Sequence, residues 1–312
     1  MKKGILFLVS LIWMLPAIAQ SKDYFKTERS AMEPQGSFPA FYNKRARKAA
    51  KNINTYLQLA ATKTLIDAGA DSATTNWTYK TPVNNQRILS LSCQAANGPE
   101  KHFLFNAATG SLISLQDVFN VNGLAYIKRQ MVRARQQTAD LRFPVKPEGQ
   151  EKCIKSDIQE FLLTSDSLFI YPAHCFNTDS AGNINTAPER VAFSMASVGQ
   201  YLSEYGQVIL GMSKKPKLKK LHSNAVAGLY HGQIDQEEVF LQLDAPFEKS
   251  LNGTLHFTRS RQSLPFEGVF KSNRLEIPNK AERLSLSIYP GTISGQRKAG
   301  NKVLNNFILN RQ

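Results

Sequence analysis

Histidine titrates closer to neutral pH than any other side chain, so a search for proton transfer or metal binding starts there. The chain has five: His102, His174, His222, His231 and His256. Their separations contain no HxH and no HExxH, the spacings that bring two imidazoles onto one metal. His174 stands beside Cys175, but adjacent residues on a strand face opposite ways, which works against a thiol–imidazole pair. His231 and His256 fall on separate strand-like segments with Asp235, Glu237 and Glu238 nearby, and they are weak candidates for a metal site. Exposed strand and turn residues are the plainer account of both. There is no GxSxG elbow, no glycine-rich phosphate loop and no aspartate–histidine motif of the deacetylase type. With no visible nucleophile and base, the expectation is a protein that is not an enzyme and carries no cofactor.

The cationic residues are the second group with chemical potential. Lys and Arg number 39 against 24 Asp and Glu, a formal charge of +15. Lys44, Arg45, Lys48 and Lys51 gather at the start of one helix-like segment, and Lys128, Arg129, Arg133 and Arg135 along another. Side by side, the two would make a face for cell-wall glycan, lipid phosphate or an acidic envelope protein. Apart, they are solvated faces that aid solubility. Nucleic acid is excluded as a partner, because the chain reads as exported and has no groove-reading module. Of the two tryptophans, Trp13 lies in the leader, and Trp77 is either a platform for a sugar ring or a core residue.

Several elements must position these groups. Residues 1–19 carry Lys2 and Lys3, an apolar run from Ile5 to Leu15, and Ala17-Ile18-Ala19. That is the pattern of a signal peptide cleaved after Ala19, which places the chain in the periplasm or outside the cell. No later stretch approaches the roughly 18 apolar residues of a membrane span, so no transmembrane anchor is expected in the mature chain. Export permits a disulfide. Cys153 and Cys175 flank an apparent hairpin and are the candidate pair, with Cys93 a buried thiol; another pairing or none stays open.

Residues 20–37 read as an extended segment. The recurrence of Ala46, Ala50, Ile53, Leu57, Ala61 and Leu65 predicts a helix over 41–68, stopped by Gly69. Short strands are expected over 77–80, 87–93, 101–105 and 111–115, then a turn through Asp117 capped by Ser114. Leu124, Ile127, Met131, Ala134 and Thr138 predict a second helix. A hairpin over 158–171 follows, with 173–188 as a long loop. A strand through Val191, Phe193 and Met195 precedes a helix over Val198–Tyr205 that Gly206 stops. Residues 213–224 form a Lys-rich linker. Beyond it, about eight alternating segments separated by Asn252-Gly253, Ser272-Asn273, Pro290-Gly291 and Gly300-Asn301 predict a meandering antiparallel barrel or sandwich.

Residues 38–210 also resemble a known domain pair. Asn52–Leu57 on the early helix, Ile88–Ser92 on a strand, Phe105–Phe119 with its Asp117-Val118-Phe119 turn, and the hairpin Phe161–Tyr171 occur in the same order. This is similar to the extracytoplasmic domains of unknown function found in lysozyme-responsive anti-sigma factors and beside peptidoglycan deacetylase domains. The resemblance implies an envelope binding or sensing role. The strand-rich tail, with Gly228–Gly232 and Ile293–Gly295, is similar to small modules that accompany such domains.

The expected architecture is therefore an α+β region of two subdomains, 38–120 and 121–212, followed by an all-β antiparallel module over 225–312. The expected role is non-enzymatic recognition of cell-wall glycan or an envelope protein. A cell-wall hydrolase or deacetylase with a dispersed site, and a docking component of an envelope assembly, are the alternatives.

Overall fold

Leu89, Leu91 and Cys93 alternate with Ser90 and Ser92, so one strand offers an apolar face and a small polar one. Both faces are buried, and that double burial organises the α+β region. The structure is a computed structural model. It describes residues 23–27, 38–65, 77–96, 98–142, 158–172, 190–213, 226–244, 250–279, 282–289 and 291–312. The leader 1–19, the linker beyond Ser213, His174, His222 and both candidate disulfide cysteines, Cys153 and Cys175, lie outside the described residues.

The first core lies between helix α1 (Arg47–Thr62) and the antiparallel sheet of β3 (Trp77–Asn84), β4 (Ile88–Ala95) and β5 (Glu100–Asn106). Ile53, Leu57 and Leu59 of the helix meet Leu89, Leu91, Phe103 and Phe105 of the sheet, all fully or nearly fully buried. Truncating any one of these leucines to alanine costs about 2–5 kcal/mol. A two-stranded ribbon, β1 (Lys26–Thr27) and β2 (Phe41–Tyr42), closes the end of this core. Two asparagine amides hold it as a strand would. Asn54 accepts from the Phe41 N–H at 2.8 Å and donates to its carbonyl at 2.9 Å, and Asn84 does the same for Phe25 at 2.9 and 2.8 Å.

Helix α1 is shorter than the periodicity predicted. Phe41 and Tyr42 are pulled into the ribbon, and Lys63 ends the helix in the left-handed conformation at φ 61°. Arg47, Lys48 and Lys51 lie at its amino-terminal end with no acid in the first turn, against the helix dipole. The apolar face therefore carries the helix.

The second core takes the other face of the sheet, through Ile88 and Leu104. It contains α2 (Leu115–Val118), α3 (Val121–Arg142) and a second sheet of β6 (Ile158–Leu163), β7 (Ser167–Pro172) and β8 (Val191–Ser194) in that order. Ser114 caps α2 reciprocally: its hydroxyl accepts from the Asp117 N–H at 3.3 Å while the Asp117 carboxylate accepts from the Ser114 N–H at 2.8 Å. Residues 111–115 form no strand, and a single bridge from Leu112 to Phe105 takes its place. Met195 ends the expected strand, because Ser194 caps a short helix, α4 (Met195–Val198). A 3-10 turn (Gly199–Tyr201) and α5 (Glu204–Ile209) follow. Gly206 lies inside α5 and does not stop it. A Cβ there would collide with the Val118 carbonyl oxygen, so the glycine lets α5 press against α2.

The carboxy-terminal unit is a closed barrel of eight antiparallel strands joined in sequence order. They are β9 (Gly228–Ile234), β10 (Glu237–Leu243), β11 (Ser250–Phe257), β12 (Ser263–Lys271), β13 (Arg274–Asn279), β14 (Glu282–Tyr289), β15 (Thr292–Ala299) and β16 (Lys302–Arg311). β16 closes onto β9 through Leu309, Asn310 and Arg311. Leu241, Leu255, Leu275, Leu286, Ile293 and Leu309 are among the side chains that fill the interior. Ser272 and Asn273, both at positive φ, make the expected tight turn between β12 and β13. Asn252-Gly253 does not turn. It continues β11, where Gly253 admits the Gln242 carbonyl of β10 and the Phe266 ring of β12.

The barrel is fastened to the first core. Leu229 and Phe240 on its outer wall pack into that core. The Tyr56 hydroxyl donates to the Leu243 carbonyl at 3.3 Å, and the Thr254 hydroxyl to the Leu59 carbonyl at 3.2 Å. Ser111 donates to the Gln312 carbonyl at 2.7 Å, and the Arg311 guanidinium to the Leu112 carbonyl at 3.2 Å.

Candidate functional site

Helix α3 buries Ile127 and Met131 against the second sheet, and the same four-residue step carries Arg135 inward. Arg135 is only 2% exposed, so the expectation of a solvent-facing cation there is corrected: it lies on the core stripe. Lys128, Arg129 and Arg133 are exposed as expected.

The flank of α3 carrying Tyr126, Gln130, Arg133 and Gln137 faces strand β8, and the space between them is a groove of about 400 Å³. All four residues of β8 line it, as does Ser197 of α4. The aromatic side is fixed by packing. Tyr126 stacks on Tyr201 with ring centres 4.9 Å apart and meets Phe193 edge-on at 6.5 Å. The groove thus combines one guanidinium, two side-chain amides, the hydroxyls of Tyr126, Ser194 and Ser197, two aromatic rings and the aliphatic carbon of Ala134, Val191 and Ala192. Such a set has the chemistry to hold a polar anionic group by hydrogen bonds and charge.

A second constellation lies where the two sheets meet. Glu160 of β6 reaches across to β5, where its Oε2 accepts from the His102 N–H and faces the imidazole Nδ1, both at 3.0 Å. The ring stacks on Tyr171 with centres 3.9 Å apart, and Glu100 stands 3.8 Å from Nε2. Ser92 donates to Glu100 on the same face. The His102 side chain is 2% exposed, and its Nε2 is buried without a hydrogen-bond partner. A base must reach the proton it takes, and this nitrogen is covered. Burial also raises the Tyr171 hydroxyl above its ordinary value.

The remaining candidates are dispersed. Lys44, Arg45, Lys48 and Lys51 are exposed at the start of α1, which packs in the first core, whereas α3 packs in the second. The two cationic groups therefore belong to different layers of the fold. Trp77, the first residue of β3, is half-buried against the first core and meets Phe38 edge-on at 5.1 Å. His231 and His256 do not converge, because both are paired with Phe240, which lies between them on β10. His231 contacts Glu238 at 2.7 Å and His256 contacts Ser263 at 2.8 Å. Among the described residues no group of three His, Cys, Asp or Glu has the geometry to hold a metal. Burial pushes the Cys93 thiol up to about 12.

Sequence reasoning named Arg133 but missed the groove, which needs β8 and α3 to be brought together across more than fifty residues of chain. It likewise missed Glu160 as the partner of His102, because nothing in their spacing pairs them. No helix among the described residues is long and apolar enough to cross a membrane. No protein-family model matches the chain, and no curated protein matches its sequence.

Proposed function

We propose that the protein is a non-enzymatic binding or sensing module of the cell envelope, exported by its leader. On this reading it recognises cell-wall glycan or an envelope protein through the groove between α3 and β8. The observation that carries the reading is Arg133, exposed in a groove otherwise lined by amides, hydroxyls, and aromatic and aliphatic carbon. The resemblance of residues 38–210 to extracytoplasmic domains of unknown function found in lysozyme-responsive anti-sigma factors points the same way, and the charge of +15 favours anionic partners.

Retention by purified peptidoglycan sacculi and by envelope extract tests it. Retention that weakens with salt and with Arg133→Glu is the expected result, since screening and charge reversal act on the same contact. Equal retention of the variant, or none of either protein, overturns it.

A hydrolytic reading draws on the His102–Glu160 pair. It requires turnover of acetylated muropeptides that His102→Ala abolishes, and an absence of turnover by the native chain removes it.

A further inference from the structure

The free edge of a sheet is a row of unpaired N–H and C=O groups, and proteins ordinarily obstruct it. The barrel closes on itself and has no edge. The edge of β3 carries Lys80 and Pro82 and breaks register between Lys80 and Val83. The edge of β5 is met by β6, whose Glu160 takes the His102 N–H. β8 is short and has α3 alongside it, but the strand itself carries none of the obstructing residues. Its sequence is Val191-Ala192-Phe193-Ser194, without charge or proline, and among the described residues no strand pairs with its outer side.

Its pairing with β7 fixes which groups point outward. Val191 lies opposite Ile170 and Phe193 opposite Leu168, and the next residue of the same parity, Met195, donates to the Asp166 carbonyl at 2.7 Å. In an antiparallel ladder such residues bond to the partner strand and the intervening ones point away. The Ala192 N–H and C=O and the Ser194 N–H therefore point to the open side, which is the groove. The Ser194 carbonyl is already held by the Ser197 hydroxyl at 2.7 Å.

The opposite wall matches this edge in length. Gln130 to Gln137 spans about 10 Å of helix at 1.5 Å per residue. The four residues of β8 span about 10 Å at 3.3 Å per step. Arg133 stands in the middle of that wall.

We infer that the groove takes an extended acidic segment of an envelope protein, which adds to β8 as a fourth strand and places a carboxylate on Arg133. The inference rests on the groove being the binding site and specifies what fills it. Three backbone groups at β spacing select an extended peptide, and the guanidinium selects its charge. A glycan presents no repeat of amide donors and acceptors in that register.

The test uses the full mature chain and a display library of random heptapeptides. Enriched sequences carrying Asp or Glu are expected. The leading peptide is then synthesised with blocked ends and N-methylated at alternate residues. Methylation of one alternating set weakens binding about tenfold, as loss of a backbone hydrogen bond requires, and methylation of the other set has little effect. In the protein, Ala192→Pro removes the outward N–H at an edge position that tolerates proline, and it too weakens binding about tenfold or more. The methylated peptides supply the same information should that variant fail to fold. Absence of enrichment, or indifference to both methylation patterns, overturns the inference. Retention by sacculi that falls with Arg133→Glu but survives Ala192→Pro also overturns it, while leaving the groove as a glycan site. Failure of both assays removes the binding reading as well.

Discussion

Glu160 and His102 tie the two sheets of the α+β region together through a single carboxylate oxygen, which accepts the His102 backbone N–H and contacts its Nδ1, each at 3.0 Å. The edge of β5 thereby finds an acceptor that no neighbouring strand supplies. Glu160→Ala leaves both groups without it. The expected loss is about 1–2 kcal/mol, a charge-assisted bond reduced because the carboxylate is partly exposed. Glu160→Gln keeps an acceptor oxygen and should lose less. Urea unfolding midpoints measure both, and equal stability of Glu160→Ala and the native chain would refute the role assigned to this contact.

Gly206 and Gly199 make a matched pair of substitutions. A methyl group on Gly206 meets the Val118 carbonyl oxygen, whereas one on Gly199 meets only the end of Met212 at 3.9 Å. Gly206→Ala is expected to cost about 1–3 kcal/mol through overpacking. Gly199→Ala, at a right-handed helical backbone, is expected to be neutral or to stabilise by about 0.4–1 kcal/mol. Thermal unfolding of the two variants should separate them in that order.

Alkaline pH should unfold the protein through its buried acids. Burial pushes Cys93 up to about 12 from its ordinary 9.0, and raises the Tyr56, Tyr205 and Tyr230 hydroxyls above their ordinary 10.0. The unfolded chain ionises these groups where the folded chain keeps them neutral, so above about pH 9 the unfolded state binds fewer protons. Their contribution to stability is complete below about pH 9 and declines as pH rises toward about 12. Unfolding midpoints between about pH 8 and pH 11 should fall, and Cys93→Ala should flatten the first part of the slope. A midpoint constant over that range would contradict the assignment.

The docking of barrel on helix rests in part on two hydroxyls. Tyr56→Phe and Thr254→Val remove the bonds to the Leu243 and Leu59 carbonyls without changing volume much. Each should lower stability by about 0.5–1.5 kcal/mol. Urea should unfold the double variant at a lower concentration than the native chain, and identical midpoints would argue against the hydroxyls as fasteners.

The period-two alternation of the carboxy-terminal strands made an antiparallel barrel or sandwich legible, because most strands bury one face and wet the other; β9 to β11 bury parts of both where the first core covers them. Ser114 with Asp117 announced its cap for an equally local reason. The misread elements were decided at a distance. Gly206 looks like a helix stop until the Val118 carbonyl is seen against it, and Asn252-Gly253 looks like a turn until Gln242 and Phe266 press on that strand. Arg135 looks exposed by type, but the four-residue step from Ile127 and Met131 carries it inward. The candidate site was legible only as Arg133. Its other wall is the edge of β8, with which no described strand pairs, and the pairing of an edge is decided by segments remote in the chain.

The join between β16 and β9 pairs Leu309, Asn310 and Arg311 with Gly232, His231 and Tyr230, the Gln312 N–H continues it onto the Leu229 carbonyl, and these residues lie next to the fastenings at Leu112 and Ser111. Tension that drags the barrel away from the helix-bearing layers would thus be delivered to its closing seam. The strand that closes the cylinder is also the strand that holds it to the helix-bearing layers, so a pull on either unit arrives first at that seam.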